Sequence, residues 1–260
     1  MFDINKKVIA MIHLDALPGT PSYKGSVSSI KKKAIEEADI FFSEGINTVL
    51  IENMHDTPYL NRETGHEVSA LMAVILNDIV NKFPLTAGIQ ILAGANKAAL
   101  AAAHAAGASF IRAEGFVFSH IADEGLFNSD AGELLRYRKM IGAENILIFT
   151  DIKKKHSSHT ITADVSILET AKAAEFFRSD GIIITGSSTG NAPALKELKA
   201  LRGKISIPVI AGSGITSKNF TQFSPFIDAA IIGSDFKLEG KWFNAVDKNR
   251  VKKFLKIPGL

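Results

Sequence analysis

A single eight-fold β/α barrel with parallel strands is the fold this sequence predicts, on three observations. Short apolar runs of strand length alternate with helical segments about eight times along 260 residues. Strands alternating with helices imply a parallel sheet with crossover helices. Glycines recur between a helix and the next strand, at Gly45, Gly107, Gly142 and Gly181. The polar residues of the apolar runs lie mostly in the last half of their strand, where such a barrel carries its functional groups. An open doubly wound sheet is the rival. It usually has fewer strands and wants a glycine fingerprint after the first one, where this chain has Leu17-Pro-Gly-Thr-Pro21.

The elements follow in order. Residues 8–14 are an apolar run closed by Pro18, Gly19 and Pro21. Residues 26–44 are helical, with Ile30, Ala34, Ala38, Phe41 and Phe42 on one face and Lys31 to Lys33 and Glu36 on the other. Residues 48–53 form the second strand, 65–82 its helix, and 85–92 the third strand. An alanine-rich helix over 96–106 leads to a fourth strand at 109–116. A long loop through His120 and Asp123 precedes a helix over 130–141. The fifth strand covers 145–151, its helix 163–177, the sixth strand 181–186, and its helix 193–201. Strands seven and eight end in Ile207-Pro-Val-Ile-Ala-Gly-Ser-Gly-Ile-Thr216 and Ile227-Asp-Ala-Ala-Ile-Ile-Gly-Ser-Asp-Phe236, each with a helix start expected after its Gly-Ser turn. The last helix covers 244–255. No linker or low-complexity break divides the chain, so 1–260 reads as one TIM-barrel domain.

Composition narrows the function. Apolar residues make up 46%, enough for a large core, and a net charge of +3 does not argue for nucleic acid. With no cysteine, disulfides, thiolate metal sites and cysteine nucleophiles are excluded. The N-terminal residues lack a signal-peptide core, and no apolar run approaches the ~18 residues of a membrane helix, so a cytoplasmic protein is expected.

Side chains alternate along a strand, and barrel strands are buried on both faces, so an inward polar group needs a partner or a task. That reasoning selects His13, Asp15, Glu52, Gln90, Arg112, Glu114, Asp151, Lys153, Lys155 and Thr185. Glu52 is a candidate base, or a carboxylate held by backbone amides or an internal arginine. Asp151 with Lys153, on one parity, resembles an acid–lysine catalytic pair; the alternative is a solvated basic loop. Arg112 with Glu114 is either part of the site or a buried ion pair. His13 is a candidate acid or a core cap. His156 and His159 leave a divalent metal open, but no cofactor is expected. The Gly-Ser turns at Gly186, Ser187, Gly212, Ser213, Gly214, Gly233 and Ser234 let the backbone approach an anion closely. Loops after strands seven and eight frequently build a phosphate site in this fold.

Two stretches are specific: Ile12-His-Leu-Asp-Ala-Leu-Pro-Gly-Thr-Pro21 and Ile51-Glu-Asn-Met-His-Asp-Thr-Pro-Tyr59. With Arg112-Ala-Glu-Gly-Phe116, Asp151-Ile-Lys-Lys-Lys155, Thr185-Gly-Ser-Ser-Thr-Gly190 and Gly212-Ser-Gly214 following in order, the chain resembles the BtpA family over nearly its whole length. That resemblance implies a TIM barrel. It also implies a role first named for photosystem I biogenesis in a cyanobacterium and, from members in non-photosynthetic organisms, a broader metabolic one. It supplies no catalytic residues. Two classes of function therefore stand. One is an enzyme acting on a phosphorylated small molecule, a sugar or ribosyl phosphate, by acid/base catalysis at the barrel mouth. Isomerisation, epimerisation and C–C or glycosyl bond cleavage (an isomerase, a lyase or a glycosyl-bond hydrolase) all fit. The other is a non-catalytic assembly or regulatory factor. A homo-oligomer is left open.

Overall fold

A computed structural model describes residues 7–186 and 190–258. Eight parallel strands close into a barrel: β1 (Lys7–His13), β2 (Thr48–Glu52), β3 (Thr86–Gln90), β4 (Phe110–Ala113), β5 (Leu147–Ile152), β6 (Gly181–Ile184), β7 (Val209–Ala211) and β8 (Ala229–Ile232). Each strand pairs with its sequence neighbours, and β8 returns to β1. The crossover helices are α1 (Val27–Ser43), α2 (His66–Lys82), α3 (Asn96–Ala106), α4 (Ala131–Met140), α5 (Ile167–Phe176), α6 (Leu195–Leu201), the short α7 (Phe220–Phe223) and α8 (Lys248–Leu255).

Strand alternation splits the core into two layers. Ile9, Met11, Leu50, Phe110, Phe149 and Ile183 point into the barrel with their neighbours from β7 and β8. Phe110 and Phe149 meet at 5.4 Å between ring centroids. Room for them comes from two missing side chains: a Cβ on Gly88 would fall 2.2 Å from the Phe110 ring, and one on Gly181 would fall 2.8 Å from Phe149. The opposite faces of the strands pack against the helices in a second, larger apolar layer.

Local signals set the helix ends. Ser26 caps α1, with its hydroxyl accepting from the Ser29 N–H. Ser166 and Glu169 form a capping box, so α5 begins at Ile167, four residues later than expected. Residues 160–162 are a separate 3-10 turn. α8 begins at Lys248 rather than at 244. Residues 237–247 fold back on themselves, with the Leu238 N–H donating to the Ala245 carbonyl, and Asp247 caps the helix. The helix starts expected after the two Gly-Ser turns are also corrected. α7 does not begin until Phe220, and only a 3-10 turn, Ser234–Phe236, follows Gly233. The expected long loop after β4 holds residues 120–122 and 125–127, which form an antiparallel ribbon with residues 157–158 from the loop after β5, and the sequence pattern did not show it.

On α1, Phe42 is exposed and Glu37 is buried in its place. Glu37 takes both of its oxygens to Lys237 Nζ at 2.7 Å. Burial pushes the carboxyl up and the ammonium down, and the pairing opposes both shifts.

Candidate active site

The strand ends carry the polar groups that alternation selected. Register places His13 of β1 beside Glu52 of β2, and Glu52 beside Gln90 of β3. His13 Nε2 lies 3.6 Å from Glu52 Oε2. Its Nδ1 lies 3.2 Å from the Trp242 carbonyl. A carbonyl only accepts, so Nδ1 carries the proton and Nε2 faces Glu52 as an acceptor. Burial lowers the His13 pKa well below its usual value, helped by the Lys237 charge, so the ring is neutral at pH 7. Burial raises the Glu52 pKa, opposed chiefly by Arg112. The result is a poised carboxyl next to a neutral imidazole.

Arg112 at the end of β4 is held flat by Asp151 of β5. Nε donates to Oδ2 at 2.7 Å and Nη2 to Oδ1 at 2.8 Å, a bidentate pair. Burial works against the Arg112 charge, yet Asp151 outweighs it and the pKa is raised. Arg112 therefore pairs with Asp151 and not with Glu114, which faces Lys154 Nζ at 3.3 Å.

The Lys153-Lys-Lys155 run is re-sorted by the backbone. The strand ends at Ile152, and Lys153 takes a left-handed φ of 46°, which breaks the alternation. Lys153 Nζ donates to the Thr162 carbonyl at 3.2 Å, outside the main cavity. Lys155 enters that cavity instead, beside Glu52 and Arg112. Burial lowers its pKa, with Glu52 opposing.

The cavity, about 630 Å³, spans the mouth from this floor to the loops after β7 and β8. Gly212, Ser213, Gly214, Gly233 and Ser234 all line it. Gly186 does not: its N–H donates to Ser213 Oγ, which in turn donates to the Asn191 carbonyl. Ser187 lies outside the described residues. Gly214 serves the turn itself, since φ is +64° and a Cβ would fall 2.1 Å from the Ala192 nitrogen. The positive charge of this wall comes from Lys218, Lys241, Arg250 and Lys253. Lys241 and Arg250 are paired with Glu239 and Asp235. Among the described residues no carboxylate pairs with Lys218 or Lys253. Trp242, at the tip of the folded-back loop, covers one side of the mouth with its ring 4.7 Å from His55.

Sequence reasoning missed Lys218, Lys253 and Trp242. They sit in a turn, a late helix and a loop whose convergence depends on barrel closure, so no local pattern marks them. His156 and His159 do not come together as a metal pair. His159 Nε2 contacts the Lys154 carbonyl and its ring meets His120 at 5.4 Å. No group of three or more His, Asp or Glu that could hold a metal occurs among the described residues.

His120 belongs to the ribbon, and its buried ring stacks on that of Phe127, its cross-strand partner. Burial lowers its pKa to about 4, with Lys154 adding to the effect. An unfolded histidine protonates near 6.5, so this group withdraws stability as pH falls from about 6.5 to 4. Thermal melts should show the melting temperature of His120→Gln gaining on that of the parent over this interval. A constant difference would mean that His120 titrates normally.

The site can be set beside known proteins. An uncharacterised mitochondrial protein of Caenorhabditis elegans is 50% identical over 96% of this chain and 91% of its own length. The photosystem I biogenesis protein BtpA of Synechocystis is 30% identical over 98% of this chain and 88% of its own. Among solved structures, (S)-3-O-geranylgeranylglyceryl phosphate synthase from Thermoplasma acidophilum, in complex with substrate sn-glycerol-1-phosphate, superposes with a TM-score of 0.60 at 14% identity. It covers 97% of this chain and 92% of that one, a likeness of fold alone. No helix among the described residues is long and apolar enough to cross a membrane. The BtpA family signature matches residues 4–258, and the chain belongs to the BtpA family.

Proposed function

We propose that the protein is an enzyme that transfers a proton on a phosphorylated small molecule, a sugar or ribosyl phosphate. One observation carries this reading: a buried carboxyl of raised pKa, Glu52, shares one cavity with Lys218 and Lys253, which have no carboxylate partner among the described residues. The phosphate binds against the loops after β7 and β8, with Lys218 and Lys253 supplying charge and Gly212, Gly233 and Ser234 admitting close backbone approach. The carbonyl end then lies over the floor.

Glu52 takes a proton from the carbon next to the carbonyl. The electron pair moves onto the carbonyl oxygen, giving an enediolate. The adjacent hydroxyl passes its proton to that oxygen as the protonated carboxyl returns its own to the former carbonyl carbon, so the carbonyl moves one carbon along. Arg112, immobilised by Asp151, and Lys155 face the oxygen where negative charge develops. His13 Nε2, 3.6 Å from Glu52 Oε2, turns an unprotonated ring nitrogen toward Glu52 whenever that carboxyl is protonated. Glu114 and Lys153 take no part in the proton transfer. On this reading the protein works in the cytoplasm, or in the compartment that the nematode relative's name gives for that protein.

Binding of inorganic phosphate and ribose 5-phosphate tests the reading. A ligand present at about 100 times its Kd stabilises the fold by about 2.7 kcal/mol in a thermal shift. Lys218→Ala and Lys253→Ala should each weaken phosphate binding about tenfold while the ligand-free melting temperature stays put. Unchanged affinity in both variants would move the phosphate elsewhere.

An assembly factor is the second reading. It draws on Met140, Phe176 and Phe177, exposed at the ends of α4 and α5, away from the cavity. Under it, variants of the cavity would leave function intact.

A further inference from the structure

A second cavity of about 220 Å³ opens from the first where both are lined by Glu52, Arg112 and Lys155. It runs under the ends of β2 to β4, and the ribbon turn Asp123-Glu124 overhangs it. Its size is many times the roughly 10–15 Å³ that one water needs. Apart from the shared Glu52, Arg112 and Lys155, the proton transfer above makes no use of its walls.

Those walls hold unspent hydrogen-bonding capacity. Gln90 is 1% exposed, and its Oε1 has no hydrogen-bond partner among the described residues. Glu124 Oε2 is buried and likewise unpartnered. Glu114 Oε2 has Lys154 Nζ at 3.3 Å, but that contact lacks the alignment of a hydrogen bond. Buried polar atoms are nearly always hydrogen-bonded, so three unfilled acceptors around one cavity point to a ligand that fills them.

The character of the walls selects that ligand. Four carboxylates (Glu52, Glu114, Asp123 and Glu124) face three cations (Arg112, Lys154 and Lys155). The carboxylates disfavour a second phosphate, and the cations disfavour an ammonium group. A hydroxyl both donates and accepts, so it satisfies a carboxylate on one side and a lysine on the other. It also satisfies the Gln90 amide in either orientation. β3, which carries Gln90, stands opposite β7 across the eight-stranded ring, and the phosphate loops follow β7 and β8. A molecule that reaches both must be longer than glycerol phosphate.

We infer that this cavity is a polyol subsite, in which Gln90, Glu114 and Glu124 bind the hydroxyls of the carbon chain of a sugar phosphate whose phosphate lies across the mouth. The inference rests on the phosphate reading for its second anchor.

Calorimetric titration of the full chain with inorganic phosphate, glycerol 1-phosphate, ribose 5-phosphate and ribitol 5-phosphate separates the two. The pentose and pentitol phosphates should bind at least tenfold tighter than inorganic phosphate or glycerol 1-phosphate. Gln90→Met should remove about tenfold of that gain and leave the affinity for inorganic phosphate unchanged. Glu124→Ala, at the cavity rim, should act in the same direction without touching the barrel interior. The subsite is overturned if the longer phosphates bind no tighter than phosphate itself, or if both variants keep the full gain. Inorganic phosphate that fails to bind, beside longer phosphates that bind and respond to Gln90→Met, would support the subsite and overturn the phosphate cradle. No binding by any of the four would overturn both.

Discussion

Replacing Glu52 by glutamine should cut turnover of a phosphorylated substrate by about 10²–10⁴-fold, the usual contribution of a positioned acid or base, and should also stabilise the fold at neutral pH. Both effects come from the same burial. Desolvation raises the Glu52 pKa above its ordinary 4.5, and Arg112 offsets only part of that. In the unfolded chain the carboxyl ionises near its ordinary value, whereas in the folded chain it holds its proton to a higher pH. Between those two pKa values the folded state binds more protons, so stability falls as pH rises through the window. Above the window the parent bears a buried charge that the amide lacks. The melting-temperature difference between Glu52→Gln and the parent should therefore grow in the variant's favour from pH 4.5 to pH 8, while activity is lost at every pH. A variant that melts earlier than the parent at pH 8 would mark Glu52 as a structural carboxylate. Normal turnover would remove it from the chemistry.

Breaking the pair beneath α1 should give the largest loss of stability. Lys237→Met strands Glu37 as an uncompensated buried charge, and such a change costs about 3–5 kcal/mol. The double variant Glu37→Leu with Lys237→Met leaves no charge behind and should recover most of that loss, because a buried ion pair and apolar residues of similar volume are often close in energy. Denaturant unfolding of both variants checks the argument. Equal destabilisation by the single and double changes would show that packing, not charge, dominates here. The Lys33–Asp15 pair nearby is a control. It is part-exposed, and removing it should cost no more than about 1 kcal/mol.

The barrel and its floor were legible because one rule, alternation along buried strands, applies wherever the strand stays regular. It put His13, Glu52, Gln90, Arg112 and Asp151 at one mouth, and the structure brings them there. It failed at Lys153, where a single left-handed residue after the strand exchanged the inward lysine for Lys155. It offered Glu114 as the ion-pair partner of Arg112, and that was wrong: two inward acids, Glu114 and Asp151, were within reach, and only the register of β4 against β5 decides for Asp151. The Gly-Ser turns stood out as close-approach sites, but glycine alone does not say what approaches. At Gly214 it is the neighbouring segment at Ala192. The ribbon over the mouth escaped notice because its strands are two or three residues long, and one comes from a distant part of the chain.

The two phenylalanines that Gly88 and Gly181 admit have a consequence for traffic. With Phe110 and Phe149 wedged across the interior among other buried apolar side chains, the barrel is filled beneath the floor and the main cavity lies at the mouth. On the enzyme reading, whatever enters leaves by the way it came, and the spent molecule has to clear the threshold before the next can pass. No second visitor can reach the floor from beneath. If the protein is an enzyme, the order of events at the floor is set by the plug at the bottom as much as by the chemistry above it.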